Sequence, residues 1–309
     1  MFQSLPKQVT IREVGPRDGL QNEEVFVPTD VKKEFIRRLI DAGLKSIEIT
    51  SFVNPKWIPA LADCAEIGKE FGQTPGVVTN ALVPNMKGLE NAEAAGMKEI
   101  TVFMSASEGH NKANINKTCQ ETLALFSELV PTAKSKGMRV NAGLSTAFGC
   151  PFEGDVDPDK VLSITRELLD MGADEIGIAD TIGVANPLQV KQVMEKVLPH
   201  CETEKIAVHF HDTYGTAVVN SIAALEMGIT HFDGAVGGLG GCPYAPGASG
   251  NVPTEHLAYT FEQMGVDTGV DMEKLMQTAA FIQEQLGHPL SSNGFRAWVG
   301  KRKRAEADS

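Results

Sequence analysis

Two histidines that stand two residues apart point to metal-dependent chemistry. His209 and His211 lie in the segment I-A-V-H-F-H-D, for which we predict a strand over 206–212. Residues i and i+2 of a strand point to the same face, with Cβ atoms roughly 6–7 Å apart. Both imidazoles can therefore reach one ion. The alternative, one core histidine and one solvent-facing histidine, is disfavoured because it requires opposite faces.

Oxygen ligands for the same ion can come from Asp18, after the first predicted strand, and from Asn251, after the last. One carboxylate, one amide carbonyl and two imidazoles leave positions for water or substrate. Such a set suits Mg²⁺ or Mn²⁺ better than Zn²⁺, which favours thiolates or three histidines. The predicted cofactor is a divalent cation, Mg²⁺ or Mn²⁺.

Glu48 is a candidate for a buried acid beside this site. It alternates with Ile47 and Ile49 on a predicted strand, so it points away from them and into the interior. A buried carboxylate needs a partner, because burying it alone costs several kcal/mol. Arg17 or a metal-bound water can be that partner. A purely structural Glu48–Arg17 pair is the alternative.

Cys242 lies between glycine and proline in a loop, 237–251, that contains six glycines and two prolines. A cysteine in such a loop differs from the usual buried, inert one, so Cys242 is a candidate catalytic thiol, and the loop could move as a lid. The other cysteines, assigned to packing, are Cys64, Cys119, Cys150 and Cys201. No C-x-x-C spacing occurs, which argues against structural zinc or a disulfide framework and favours a cytoplasmic protein.

A repeated pattern predicts the elements that must position these residues. Five times a helical segment ends in glycine and a short apolar run follows at once, as expected for a helix C-terminus that leads into a buried parallel strand. The five glycines are Gly43, Gly96, Gly137, Gly172 and Gly228. Eight strands are predicted, beginning near 9, 46, 77, 99, 139, 175, 206 and 231, and helices are predicted at 31–42, 118–136 and 158–171.

Eight strand–helix units predict a (β/α)8 TIM barrel with a short helical C-terminal extension. We expect the barrel over 1–285, followed by an extension and polar tail over 286–309. The remainder after about 253 should contain two helices and that tail. A doubly wound sheet is the alternative, but it would carry a glycine-rich phosphate loop after strand one, and V-G-P-R-D-G-L-Q is not such a fingerprint. In a barrel, the candidate residues converge at the carboxyl ends of the strands.

Composition excludes several classes of protein. The 309 residues carry a net charge of −12, which argues against a nucleic-acid binder, and the basic cluster 301–304 is assigned to a solvated tail. With 42% hydrophobic and 22% charged residues, the chain has the balance of a soluble enzyme. No apolar run approaches the roughly 20 residues that span a bilayer. The first residues lack the apolar region of a secretory signal.

Five segments together resemble the 3-hydroxy-3-methylglutaryl-CoA lyase family of metal-dependent TIM-barrel enzymes. They are V-G-P-R-D-G-L-Q-N-E (14–23), S-F-V-N-P-K-W-I-P (51–59), D-T-I-G-V (180–184), H-F-H-D-T-Y-G (209–215) and the glycine-rich loop (237–251). The resemblance implies metal ligation by Asp18, His209, His211 and Asn251, and catalytic roles for Arg17, Glu48 and Cys242. It also implies substrate contacts by Gln21, Asn114, Ser145 and Thr181. The reaction it implies is cleavage of (S)-3-hydroxy-3-methylglutaryl-CoA to acetoacetate and acetyl-CoA.

Departures from the family pattern cluster on the fifth and sixth predicted strands. Where the family typically reads R-G-Y, this chain has Asn141, Ala142 and Gly143. Where the family often reads S-L-G-D, this chain has a segment that begins at Gly177. A lyase for a related thioester such as citramalyl-CoA is therefore an alternative, as are a synthase of the same superfamily and, outside enzymes, an inactive metal-binding scaffold. The expected partners are an acyl-CoA substrate and a second copy in a homodimer. Asp18 and His209 both remain candidates for the base.

Overall fold

Eight parallel strands close into one barrel in the computed structural model, which describes residues 4–241 and 250–308. Each strand begins within one residue of its predicted start, and the predicted TIM barrel is confirmed. The strands are β1 (Thr10–Glu13), β2 (Ser46–Ser51), β3 (Val78–Leu82), β4 (Glu99–Ser105), β5 (Arg139–Ser145), β6 (Glu175–Asp180), β7 (Ile206–Phe210) and β8 (His231–Gly234).

Helices lie between consecutive strands and cover the barrel. The set that precedes β8 is α1 (Thr29–Asp41), α2 (Cys64–Phe71), α3 (Met86–Ala94), α4 (Glu108–Ile115), α5 (Cys119–Ser135), α6 (Pro158–Asp170), α7 (Pro187–Val197) and α8 (Ala217–Glu226). The apolar face of α1 shows how they attach, because Phe35, Ile36 and Leu39 are fully buried in the layer between helices and sheet. None of the helices in the described ranges has the length and apolar composition needed to cross a bilayer.

The glycines at the helix–strand junctions have the predicted conformation. All five glycines that were expected to end helices adopt positive φ, between 75° and 102°. At Gly43 a side chain is doubly excluded, because φ is 92° and an added Cβ would lie 2.3 Å from the carbonyl oxygen of Gly269. This residue lets α1 stop and β2 begin within a few residues.

The C-terminal region contains three helices instead of two: α9 (Thr254–Gln263), α10 (Met272–Leu286) and α11 (Asn293–Ala307). The predicted helical C-terminal extension is confirmed, and the third helix, α11, covers most of the segment that was assigned to the polar tail. The side chain of Ser292 accepts a hydrogen bond from Phe295 N at 3.1 Å, which caps α11, and the Phe295 ring is buried. The basic residues 301–304 lie on the exposed part of this helix, in contact with solvent as expected.

Candidate active site

One buried carboxylate fixes the turn that follows β1. Glu13 accepts hydrogen bonds from Gly15 N at 2.8 Å, from Val236 N at 3.0 Å and from the Thr254 hydroxyl at 2.6 Å. Burial raises the pKa of Glu13 to about 7, although these hydrogen bonds act in the opposite direction. The three contacts join the turn Gly15–Gly19 to the segment after β8 and to α9. Residues on the turn are thereby held at the barrel mouth.

Arg17 and Asp18 lie on this turn, and Glu48 lies on the neighbouring strand β2. Arg17 donates from Nη1 to Asp18 Oδ1 at 2.6 Å and from Nε to Glu48 Oε2 at 2.5 Å. Glu48 is 3% exposed and lines the interior cavity. Burial raises the pKa of Glu48, against the attraction of Arg17. Two carboxylates on different elements thus hold one guanidinium in a single orientation.

His209 and His211 lie at the carboxyl end of β7, with ring centroids 5.1 Å apart. The chain that leaves the glycine-rich loop runs antiparallel beside them. Asp212 N donates to Gly250 O, and Val252 N donates to Phe210 O, each at 3.1 Å. His211 and Asn251 consequently form an antiparallel β-bridge. This short pairing brings Asn251 to the histidines although 40 residues separate it from His211 in sequence.

Asp18, His209 and His211 form a candidate metal centre, since one ligand atom from each lies within 4.8 Å of the others. Asn251 Nδ2 donates to Asp18 Oδ2 at 2.7 Å and to Leu239 O at 3.0 Å. Its Oδ1 is buried and has no hydrogen-bond partner among the described residues. An orphaned buried oxygen beside a carboxylate and two imidazoles fits a divalent cation, which would satisfy it.

The electrostatics of the site favour the metal-binding forms of two ligands. Burial opposes ionisation of Asp18, but Arg17 and the two histidines outweigh it and lower the pKa of Asp18 to about 2. Burial and the neighbouring charge of His209 lower the pKa of His211 to about 4. At neutral pH, Asp18 is therefore an anion and His211 a neutral imidazole, the states in which these residues ligate metals.

Sequence reasoning missed Asp233, which contacts His209. On β8 it pairs in register with His209, and the distance from His209 Nδ1 to Asp233 Oδ2 is 3.2 Å. Arg12 Nε donates to the other oxygen, Asp233 Oδ1, at 2.9 Å. Asp233 raises the pKa of His209 against the effect of burial. The sequence held one indication of this carboxylate. His231, Phe232 and Asp233 alternate along the predicted eighth strand, which places Asp233 on the same face of the strand as His231.

Asp233→Asn is expected to lower Mn²⁺ affinity and kcat/KM by roughly 10- to 100-fold each, the usual effect of removing a carboxylate that orients a ligating imidazole. The amide keeps the size of the side chain but removes its charge. Mn²⁺ titration and steady-state kinetics measure the two effects. Asp159→Asn, at an exposed position on α6, is the matched control. Wild-type affinity in Asp233→Asn would show that the contact does not position His209.

Asp18, His209 and His211 line a cavity of about 570 Å³. The residues for which we expected substrate contacts, Gln21, Asn114, Ser145 and Thr181, all lie on its wall. Thr181 is itself positioned, because its hydroxyl accepts a hydrogen bond from Thr146 N at 2.8 Å. Cys242 lies outside the described residues. Its neighbour Gly241 lines the cavity.

Comparisons with known proteins identify close relatives. The model of the HMGL-like family matches residues 8–282. A hydroxymethylglutaryl-CoA lyase of Bacillus subtilis is 50% identical over 95% of this chain and 98% of its own length. The crystal structure of a B. subtilis HMG-CoA lyase superposes with a TM-score of 0.94 and covers 96% of this chain and 100% of that one. An HMG-CoA lyase from Acinetobacter baumannii, solved with coenzyme A and 3-methylmalate, is 41% identical with a TM-score of 0.89, over 93% of this chain and 94% of that one.

Proposed function

The chain belongs to the HMGL-like family, and we propose that it is a carbon–carbon lyase that cleaves (S)-3-hydroxy-3-methylglutaryl-CoA to acetoacetate and acetyl-CoA. The family resemblance predicted from the five segments is confirmed. Relatives that match nearly the full chain at about half identity carry the name of this activity, and a lyase for citramalyl-CoA is not favoured. The observation that carries the proposal is the convergence of Arg17 with the candidate metal ligands on one cavity.

Asp18, His209, His211 and Asn251 would hold the divalent cation. When bound, the cation would act as a Lewis acid that makes the tertiary hydroxyl of the substrate more acidic. Asn251 also orients Asp18, because its Nδ2 donates to one oxygen of Asp18 while its own buried Oδ1 has no hydrogen-bond partner among the described residues. The ligands are therefore oriented by the protein before substrate arrives.

Arg17 stabilises the charge that develops as the C2–C3 bond breaks. The electron pair of that bond moves into the thioester and gives the enolate of acetyl-CoA, while C3 becomes a ketone. A guanidinium has five N–H donors, and the described residues engage two of those of Arg17, on Glu48 and Asp18. The remaining donors can bind the enolate oxygen. Because the two carboxylates hold the group rigidly, little reorganisation accompanies the reaction.

We assign the protonation of the enolate at C2 to the thiol of Cys242. The family resemblance supports this role, and so does the position of the preceding Gly241 on the cavity wall. Gly240 supports it as well, because it adopts φ 109° and a Cβ added there would lie 2.7 Å from Asn251 Nδ2 and 3.6 Å from Asp18 O. The chain thus enters the segment that contains Cys242 directly beside the metal ligands.

Cys242→Ala is expected to lower kcat by about 10²-fold or more, since a positioned proton donor contributes 10²- to 10⁴-fold. Mn²⁺ affinity and the thermal unfolding midpoint should stay at the wild-type value, because the thiol belongs to neither the ligand set nor the described core. Cys201→Ala, at a half-buried position away from the barrel mouth, is the control. A Cys242→Ala enzyme with unchanged kcat would remove the thiol from the mechanism.

The proposed function is tested by product analysis with purified protein. With 3-hydroxy-3-methylglutaryl-CoA and Mg²⁺ we expect acetoacetate and acetyl-CoA in equal amounts, and after chelation of the metal we expect neither. Citramalyl-CoA serves as the comparison substrate. Absence of both products in the presence of metal, or a higher kcat/KM for citramalyl-CoA, would refute the proposal.

We further propose that the ion is Mg²⁺ or Mn²⁺, because two of the four ligand atoms are oxygens. Within the described residues, Cys64, Cys119, Cys150 and Cys201 are free thiols, which supports a reducing compartment such as the cytoplasm. The products fit a role in leucine breakdown.

We also propose that the protein is a homodimer. Light scattering of the purified protein measures the molar mass of the assembly and tests this proposal.

A further inference from the structure

A buried arginine on β1 joins the candidate metal centre to the interior of the barrel. Arg12 is 8% exposed and lines the same cavity as His209 and Asp233. It pairs in register with Asp233, and Asp233 pairs in register with His209, so the three residues stand side by side on β1, β8 and β7. One carboxylate therefore separates Arg12 from a candidate metal ligand.

The two oxygens of that carboxylate have different partners. Asp233 Oδ1 accepts a hydrogen bond from Arg12 Nε at 2.9 Å, and Asp233 Oδ2 lies 3.2 Å from His209 Nδ1. When Nδ1 of His209 is engaged, Nε2 is the ring nitrogen that remains for an ion. Asp233 holds the ring in this orientation only if its own carboxylate is fixed. Arg12 binds the oxygen that His209 does not use, and it thereby fixes the carboxylate plane.

Arg12 is itself held by a second carboxylate. While its Nε donates to Asp233, its Nη2 donates to Oε1 of Glu175 on β6. Glu175 is buried, and its other oxygen, Oε2, lies 3.0 Å from His231 Nδ1. Because Nε and Nη2 belong to one planar group, contacts to two carboxylates fix the orientation of the whole guanidinium. A lysine could not replace it, since an ammonium is a compact point charge without this fork.

The position of Arg12 accounts for one departure from the family pattern. The arginine of the R-G-Y segment would stand at position 141, and Asn141 pairs in register with Glu175. An arginine there would lie on the strand beside this carboxylate. In this chain Asn141 Nδ2 donates to Glu99 Oε1 at 2.8 Å, and Arg12 supplies the cation that pairs with Glu175. The cation thus comes from β1, from which it also reaches Asp233.

We propose that Arg12 is a positioning residue for the metal centre, which acts through Asp233 to orient the imidazole of His209 toward the cation. The inference rests on the proposed function, which calls for the cation, but it concerns binding of the ion and not turnover. Direct binding of substrate is the competing role, since Arg12 lines the cavity. The two carboxylates already bound to Arg12 disfavour that role, because they would repel a third carboxylate from the substrate.

The test is a double-mutant cycle of Arg12→Gln and Asp233→Asn, in which the Mn²⁺ dissociation constant is measured without substrate. Arg12→Gln should raise this constant about 10-fold or more, because the support of a ligating imidazole is worth about 10- to 100-fold in affinity. In the Asp233→Asn background the same substitution should change it less than about twofold, the margin within which independent effects usually add. Arg139→Gln is the matched control. Arg139 on β5 pairs with Glu99 at 3.1 Å, and its loss should leave the wild-type constant.

Equal losses of Mn²⁺ affinity in both backgrounds would overturn the inference, because Arg12 would then act independently of Asp233. An unchanged dissociation constant with a raised KM would also overturn it and would assign Arg12 to the substrate. A protein that cleaves no thioester but shows the expected cycle refutes the proposed function and supports the inference.

Loss of Arg12 leaves two buried carboxylates without their cation, so the thermal unfolding midpoint is recorded for every variant. If Arg12→Gln does not fold, Arg12→Lys takes its place in the cycle. Lysine keeps the charge but cannot bind both carboxylates in the same way. The Mn²⁺ dissociation constant should again rise in the wild-type background and stay constant beside Asp233→Asn, and equal losses in both would again contradict the role of Arg12.

Discussion

Arg17→Gln is expected to lower kcat by roughly 10³-fold or more, which corresponds to about 4 kcal/mol of transition-state stabilisation, with a much smaller change in KM. The charge of the guanidinium matters most when the thioester becomes an enolate, and glutamine supplies hydrogen bonds without that charge. Glu48 and Asp18 hold the group in position before the reaction. Its electrostatic effect therefore requires little reorganisation.

Steady-state kinetics of Arg17→Gln separate this role from substrate binding. Arg37→Gln is the matched control, because Arg37 is half exposed on α1 and pairs with Glu34 and Glu70 outside the barrel. Its kcat should equal that of the wild type. An Arg17→Gln enzyme altered only in KM would mean that the arginine binds the ground state and the transition state equally well.

Asp18→Ala is expected to abolish metal-dependent turnover. Asp18 contributes the one carboxylate of the candidate ligand set, and it also contacts Arg17 and Asn251. Its loss removes an anionic ligand and two orienting contacts together, so the Mn²⁺ dissociation constant should rise by about 30- to 150-fold, as for removal of a strong charge-assisted contact of about 2–3 kcal/mol. Mn²⁺ titration and product formation measure the two effects.

Asp30→Ala, at an exposed position in the first turn of α1, controls for the loss of one negative charge. The thermal unfolding midpoint of Asp18→Ala shows whether the barrel remains folded, since Glu13 still accepts its hydrogen bond from the turn in this variant. Full metal occupancy with unchanged turnover in Asp18→Ala would refute the ligand assignment.

The fold was predictable from local chemistry. Several times along the chain a helix ends in glycine and an apolar strand follows at once. The residues that form each of these helix–strand junctions are adjacent in sequence, so the pattern is visible locally. The end of the molecule was less predictable. Helix α11 depends on the Ser292 cap and on burial of Phe295, and these are signals from two residues within a polar segment.

The candidate site was predictable where periodicity or fold geometry sufficed. The spacing of His209 and His211 places both imidazoles on one face. Periodicity could not predict the partner of His209, because Asp233 contacts it only when β7 and β8 pair in the observed register. Arg12 in turn reaches Asp233 from the far end of the sequence, across the seam where β1 pairs with β8. The first contact follows from the register of neighbouring strands and the second from closure of the barrel, and neither has a local signature in the sequence.

The most direct test is a titration of metal-free protein with Mn²⁺, in which bound ion and the rate of acetoacetate formation from 3-hydroxy-3-methylglutaryl-CoA are measured in the same samples. Because Asp18, His209 and His211 line one substrate cavity and form one candidate metal centre, we expect the rate to rise in proportion to bound Mn²⁺ and to reach its maximum at one ion per chain. Full activity of the metal-free protein, or an ion that binds at this stoichiometry without producing acetoacetate, would contradict the account.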